Sequence, residues 1–136
     1  MLVWFVAAPV LVLTALAATA QDHLLEVKNN LQSEMSACFV YYTITKNCAV
    51  AERDDAVIDG LTNIQDTFSQ EMAKLGKSIG MTDEAMVASV RIFSDEQYGS
   101  IPNSCVNLSA PMVKHGNRCK QVGENPDRED RPYSRP

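Results

Sequence analysis

The sequence predicts an all-α protein, a small up-down bundle of about four helices that disulfides stabilise. Apolar residues recur at steps of three and four along most of the chain, which is the spacing of one face of an α-helix. No alternation of apolar and polar residues is long enough to predict a strand. Four cysteines, an even number, can form two disulfides in an oxidising compartment.

The first twenty residues are typical of a secretory signal peptide. They carry no charged side chain, and they end in Ala18-Thr19-Ala20, a small-x-small pattern suited to cleavage. We therefore expect a signal peptide over 1–20 and a periplasmic or secreted protein. The alternative is an uncleaved membrane anchor, because the apolar run approaches the ~20 residues that span a bilayer. After cleavage, no membrane-spanning segment is expected.

The first helix of the domain is predicted from Asp22 to about Lys46, with a turn at Lys46-Asn47. Near its end, Val40 and Tyr41 widen the apolar stripe, so this part should be buried on most sides. The predicted core-facing stripe consists of Leu24, Val27, Leu31, Met35, Cys38, Phe39 and Tyr42.

A second helix is predicted from about Ala49 to Ser78 on the cleanest apolar stripe in the chain. Gly80 suits the left-handed position that closes a helix. Thr82 can cap a third helix, and Met81 and Met86 stand at the two positions of a hydrophobic staple. The stripe of the second helix consists of Val57, Leu61, Ile64, Phe68, Met72, Leu75 and Ile79, and that of the third of Met86, Val90 and Phe93.

A fourth helical segment is predicted from Ser104 to about Val122, with a kink at Pro111 because proline lacks a backbone donor. The helical domain then covers 21–122. Residues 123–136 are polar and contain too few apolar groups to offset the entropy of ordering, which predicts a flexible tail.

Helix geometry weighs the possible disulfide pairings unequally. Within one helix, Cys38 and Cys48 would lie ~15 Å apart and Cys105 and Cys119 ~21 Å apart, whereas a disulfide needs Cα atoms within about 7 Å. The first and fourth helices of an up-down bundle are antiparallel neighbours. This favours the nested pairs, Cys38 with Cys119 and Cys48 with Cys105; the local and crossed pairings are the alternatives.

The sequence contains no pattern typical of a catalytic, metal or cofactor site. The cysteine spacings do not match zinc motifs, and His23 and His115 are isolated. A net charge of −5 argues against nucleic acid as a partner. The residue types best suited to an interface or a ligand contact are Tyr41 and Tyr42, with core packing as the alternative.

The segments Ala37–Tyr42 and Ile79–Met86, together with Arg118-Cys119-Lys120 followed by Asn125-Pro126, resemble small exported helical proteins of proteobacteria whose function is uncharacterised. The resemblance implies a periplasmic setting and no particular activity. We expect a non-enzymatic binding or structural protein, without a cofactor, that acts on a protein or envelope partner of unknown identity. The alternatives are a carrier of a small apolar ligand within the bundle and an enzyme whose site is assembled from scattered residues.

Overall fold

The computed structural model describes the backbone of residues 10–101, 105–109 and 112–124, and the side chains from residue 19 onward except that of residue 107. These residues form an all-α bundle of four helices, and no strand is present among them. The helices are α1 (Val10–Glu52), α2 (Asp55–Ser78), α3 (Asp83–Gly99) and α4 (Asn117–Glu124). A 3-10 turn (Cys105–Asn107) and a π-helical turn (Met112–Gly116) lie between α3 and α4.

The turn between α1 and α2 lies at Arg53-Asp54, and the prediction of a turn at Lys46-Asn47 is wrong. Arg53 has a φ of 57°, and its N–H donates to Val50 O while Asp54 N donates to Ala49 O. These two bonds form a Schellman motif, with arginine at the position that glycine usually fills. The helix continues past Lys46 because that stretch contains no helix breaker, and Cys48 and Ala49 continue its buried face.

The turn between α2 and α3 matches the prediction. Gly80 has a φ of 78°, Gly80 N donates to Lys77 O, and Met81 N donates to Gly76 O, which is again a Schellman motif. Thr82 caps α3 by accepting a hydrogen bond from Ala85 N at 3.2 Å. The glycine cap at Gly80 and the N-cap at Thr82 both depend on the local sequence. They therefore form regardless of how α2 and α3 pack in the bundle.

Helix α1 is the centre of the bundle, since α2, α3, the π-helical turn and α4 all contact it. One core cluster joins α1 to α2 and α4, and a second joins α1 to α3 and the segment that follows it. The first consists of Met35, Cys38, Tyr41, Phe68, Met72, Cys119 and Val122, and the second of Val40, Ile44 and Ile101.

The core-facing stripes predicted from the sequence agree best with the observed burial where the helices pack against each other. Val40, Tyr41 and Ile44 are buried, which confirms that this part of α1 is covered on most sides. Leu24, in contrast, is 40% exposed, and the residues on either side of it are exposed as well. The stripe of α2 buries Leu61, Phe68 and Met72, whereas Val57 and Ile64 are partly exposed at its first half.

The two disulfides join Cys38 to Cys119 and Cys48 to Cys105, which is the nested pairing that helix geometry favours from the sequence. The Cα atoms of the two pairs lie 5.2 Å and 5.5 Å apart. Because the earlier cysteine of α1 bonds the later cysteine of the last segment, that segment runs antiparallel to α1. A half-buried ion pair between Arg118 and Glu34 reinforces the same contact.

The segment from Ser104 to Val122 is not one kinked α-helix. A 3-10 turn and a π-helical turn precede α4, which begins at Asn117. Pro111 lies outside the described residues. Gly123 and Glu124, which the sequence assigns to the tail, form the end of α4, and residues 125–136 are not described.

Helix α1 runs without a break through the predicted cleavage site, and residues 1–9 of the predicted signal peptide are not described. No helix within the described ranges is long and apolar enough to cross a membrane.

Candidate functional site: an open groove beside Tyr42

The two adjacent tyrosines of α1 occupy different environments. Tyr41 is 7% exposed and belongs to the first core cluster. Its hydroxyl lies 3.3 Å from the position that a Cβ on Gly116 would take, so the last segment approaches α1 closely here. Tyr42 is half-buried and contacts Tyr41 edge-on, with ring centroids 5.1 Å apart. Tyr42 lines a groove that is open to solvent, and Tyr41 is not among the lining residues of that groove.

This groove, which we call the Tyr42 groove, lies between α2 and α4 beside Tyr42 of α1. Its volume is about 350 Å³, and it opens to the surface along one side. Its lining residues are Tyr42, Asn63, Ile64, Thr67, Phe68, Lys120, Gly123 and Glu124. The volume is similar to that of the smaller ligand sites in proteins, which begin at about 300 Å³.

Aromatic side chains form the floor of the Tyr42 groove. The ring of Tyr42 lies 5.4 Å from that of Phe68, centroid to centroid, at an angle of 46°. Such tilted pairs are favourable beyond their burial alone. A Cβ on Gly123 would lie 3.2 Å from Phe68 Cε2, so α4 can approach α2 this closely only with a very small residue at that position. The floor is therefore held by three elements at once.

The rim of the Tyr42 groove is polar and charged. Lys120 Nζ lies 3.9 Å from Glu124 Oε1, and both side chains are largely exposed. Burial raises the pKa of the Tyr42 phenol, and the neighbouring Tyr41 and the carboxylate of Glu124 raise it further. The hydroxyl of Tyr42 therefore stays protonated and can donate a hydrogen bond to a ligand or to an acidic group.

A second set of charged groups lies apart from the groove, where the π-helical turn meets α3. Lys114 Nζ pairs with Glu96 Oε1 at 2.8 Å, and this hydrogen bond lowers the pKa of the Glu96 carboxyl. Burial and the nearby Lys114 ammonium lower the pKa of His115, while Glu96 opposes them. None of these three residues lines the Tyr42 groove.

Metal-binding geometry does not occur among the described side chains, since no group of three or more histidine, cysteine, aspartate or glutamate residues is close enough to hold an ion. The four cysteines are all engaged in disulfides.

The sequence identified Tyr42, but it did not identify the other lining residues as parts of one site. Phe68 and Ile64 were predicted only as members of the core stripe of α2, and Gly123 was assigned to the tail. Their meeting depends on how α4 lies against α2, which no local pattern encodes. Comparison with known protein families, with curated proteins and with solved structures found no match for this chain.

Proposed function

We propose that this chain is a non-enzymatic exported helical protein that binds a protein or envelope partner through the Tyr42 groove. The observation that carries the proposal is an apolar floor of Tyr42, Ile64 and Phe68 that is open to solvent beneath a charged rim. Interfaces commonly place aromatic side chains at their centre and polar groups around them. The two disulfides support export, because such bonds persist in the periplasm and outside the cell.

Two features favour binding over catalysis. The groups with shifted pKa values do not converge in the groove: Glu96 and His115 lie at the π-helical turn, and Glu84 lies at the start of α3. Among the described residues, Tyr42 is the one group with a shifted pKa that lines the groove, and burial stabilises its neutral form. Active sites are typically where several perturbed groups meet.

The alternative function is a carrier of a small apolar ligand. The volume of the Tyr42 groove falls within the range of ligand sites, and aromatic rings line it. The groove is open to solvent, whereas ligand sites usually bury most of the ligand surface. This geometry favours a protein or envelope partner over a small ligand.

Substitution of Thr67 tests the proposed function, because Thr67 is exposed and lines the groove. Thr67→Arg should fill the groove with a charged side chain and leave the core intact. Ser69→Arg is the matched control, since Ser69 is exposed on the same helix and does not line the groove. All proteins would be purified with their disulfides intact and used for affinity capture from the native envelope.

We expect a partner that the wild-type protein and Ser69→Arg retain and that Thr67→Arg loses. A partner retained equally by all three proteins would assign binding to another surface. Absence of any protein partner, together with a small molecule that co-purifies with the wild-type protein and not with Thr67→Arg in native mass spectrometry, would establish the carrier function instead.

A further inference from the structure

The π-helical turn (Met112–Gly116) makes little contact with the rest of the bundle. Its first three residues are exposed, and only His115 and Gly116 are half-buried. A segment with few buried contacts opens at a lower cost in free energy than the core does, and π-helical geometry is itself rare. The position of the turn therefore depends on a small number of side-chain contacts.

These contacts are made with Tyr41 of α1 and Glu96 of α3. The His115 ring lies 6.5 Å from the Tyr41 ring, centroid to centroid, at an angle of 43°. A Cβ on Gly116 would lie 3.3 Å from the hydroxyl oxygen of Tyr41. Lys114 Nζ pairs with Glu96 Oε1, but an exposed ion pair contributes little. His115 is thus the side chain of the turn that packs on the core.

The chain immediately after the turn is firmly attached to α1. Cys119, three residues after Gly116, is 1% exposed and bonded to Cys38. Arg118 pairs with Glu34 of α1 at the same place. The turn can therefore separate from α1 while the disulfide keeps the start of α4 in position.

Of the described groups around the turn, His115 is the one that changes charge near neutral pH. The others are Lys114 beside it, Glu96 of α3, Arg118 of α4 and the phenol of Tyr41. The hydrogen bond from Lys114 lowers the pKa of the Glu96 carboxyl, so Glu96 stays ionised. Burial lowers the pKa of His115, as does Lys114, while Glu96 opposes them. The packed turn therefore favours the neutral imidazole, and protonation favours a hydrated one.

We propose that the π-helical turn is a pH-sensitive switch, which packs on α1 while His115 is neutral and detaches when His115 is protonated. Detachment brings the imidazolium into water and uncovers the hydroxyl of Tyr41. Because Tyr41 contacts Tyr42, the detached state presents additional aromatic surface beside the Tyr42 groove. In this respect the inference rests on the proposed function, since a partner of the groove would meet a different surface at acid pH.

Hydrogen exchange of the full chain, with its disulfides intact, tests the inference. Protection factors are used, because they remove the intrinsic dependence of exchange on pH. We expect the protection of amides 113–116 to fall severalfold between pH 7.5 and 5.5 in the wild-type protein and to stay constant in His115→Gln. The variant His23→Gln is the control and should behave as the wild-type protein does.

Low concentrations of urea distinguish detachment of the turn from unfolding of the bundle. Detachment exposes little surface, so exchange of amides 113–116 should be insensitive to urea. Exchange of amides 35–48 should accelerate with urea, because these amides open only when the bundle unfolds.

A fixed positive charge tests the role of protonation directly. At pH 7.5, His115→Lys should show the low protection of residues 113–116 that the wild-type protein reaches only at pH 5.5. Val113→Lys is the matched control, since it places the same charge in the same turn at a position that is 87% exposed. It should keep the protection of the wild-type protein.

Three outcomes would overturn the inference. Protection of residues 113–116 could fall equally in the wild-type protein and in His115→Gln, His115→Lys could remain protected at pH 7.5, or residues 113–116 and 35–48 could respond alike to urea. None of these measurements requires a partner, so a turn that does not detach would leave the partner test of the Tyr42 groove standing. Conversely, failure to capture a partner would not alter the exchange result.

Discussion

Gly76, near the end of α2, lies directly against the side chain of Met86 at the start of α3. It is buried, and a Cβ at this position would lie 3.1 Å from Met86 Cγ and 3.8 Å from Met81 Cβ. Those two methionines are the pair predicted from the sequence as a hydrophobic staple, and the glycine leaves room for their side chains beside the end of α2. The small size of residue 76 therefore matters more than its backbone freedom.

We expect Gly76→Ala to lower the free energy of unfolding by about 1 kcal/mol. Overpacking against Met86 should destabilise the protein by more than the higher helix propensity of alanine stabilises it. Gly60→Ala is the matched control, because Gly60 is exposed within the same helix and a Cβ there meets nothing within 4 Å. It should raise the free energy of unfolding by up to about 1 kcal/mol. Urea denaturation with intact disulfides measures both values, and equal effects in the two variants would contradict the packing argument.

His115 should make stability depend on pH. Burial and Lys114 lower its pKa in the folded protein, so the unfolded chain takes up a proton first as the pH falls. The free energy of unfolding contributed by this residue therefore falls as the pH drops below the ordinary histidine value, and it levels off below the folded pKa. Denaturation at a series of pH values between about 7.5 and 5.5 measures the slope.

The variant His115→Gln should remove this slope. His23→Gln, at an exposed position of α1, should retain it. A slope that persists in His115→Gln would show that another group is responsible. Lys114 and Glu96 face the same turn, so the measurement should be repeated at high salt, which weakens their exposed ion pair.

Single residues also show where sequence analysis succeeds and where it fails. Gly80 and Thr82 were predicted in their observed roles, because a left-handed cap and an N-cap depend on the residue's own chemistry. Arg53 was not predicted, since arginine has no preference for the left-handed conformation that it adopts. Tyr41 and Tyr42 could not be told apart, because both lie on the apolar side of α1 and only the packing of α4 separates them.

At the level of elements, the two disulfides set the register between α1 and the last segment. The cysteines of α1 are ten positions apart and those of the last segment fourteen, so two regular helices could not match both spans. The 3-10 and π-helical turns between Cys105 and Cys119 accommodate the difference. A mismatch was predictable from the spacing alone, but its location in these turns was not, because it depends on contacts with α1.

The two disulfides should differ in their ease of reduction. Cys38 and Cys119 are 2% and 1% exposed, whereas Cys105 is half-buried in an irregular segment and Cys48 is 7% exposed. Attack by a thiolate requires access to sulfur, so a limiting amount of dithiothreitol should open Cys48–Cys105 first. Alkylation followed by peptide mapping identifies the freed thiols. Initial labelling of Cys38 and Cys119, or equal labelling of both pairs, would contradict this expectation.

At the scale of the whole molecule, the fold class was predictable and the groove was not. The stripe of α2 and the nested cysteines predict a helical bundle, because both depend on periodicity and helix length. The Tyr42 groove depends on a gap between α2 and α4 that remains once the core is filled. Neither Gly123 nor Lys120 has a sequence signature that places it beside Phe68, so such a site becomes visible only in three dimensions.

Packing also divides α1 into two parts of different stability. Residues 21–26 are exposed, whereas Ser36 is fully buried, and Cys38 and Cys48 are buried and joined to the last segment. A helix in water is only marginally stable without tertiary contacts. The same helix should therefore open locally at residues 21–26 and only by global unfolding around the disulfides.

Hydrogen exchange of the backbone amides measures this difference within one continuous helix. We expect amides of residues 35–48 to exchange slowest in the chain and those of residues 21–26 to exchange rapidly, although both stretches form the same α-helical hydrogen bonds. Reduction of both disulfides should accelerate exchange in residues 35–48 far more than in residues 21–26, because only the former depend on the nested bridges. Uniform protection along α1, before or after reduction, would mean that helix propensity rather than packing holds the centre of the bundle.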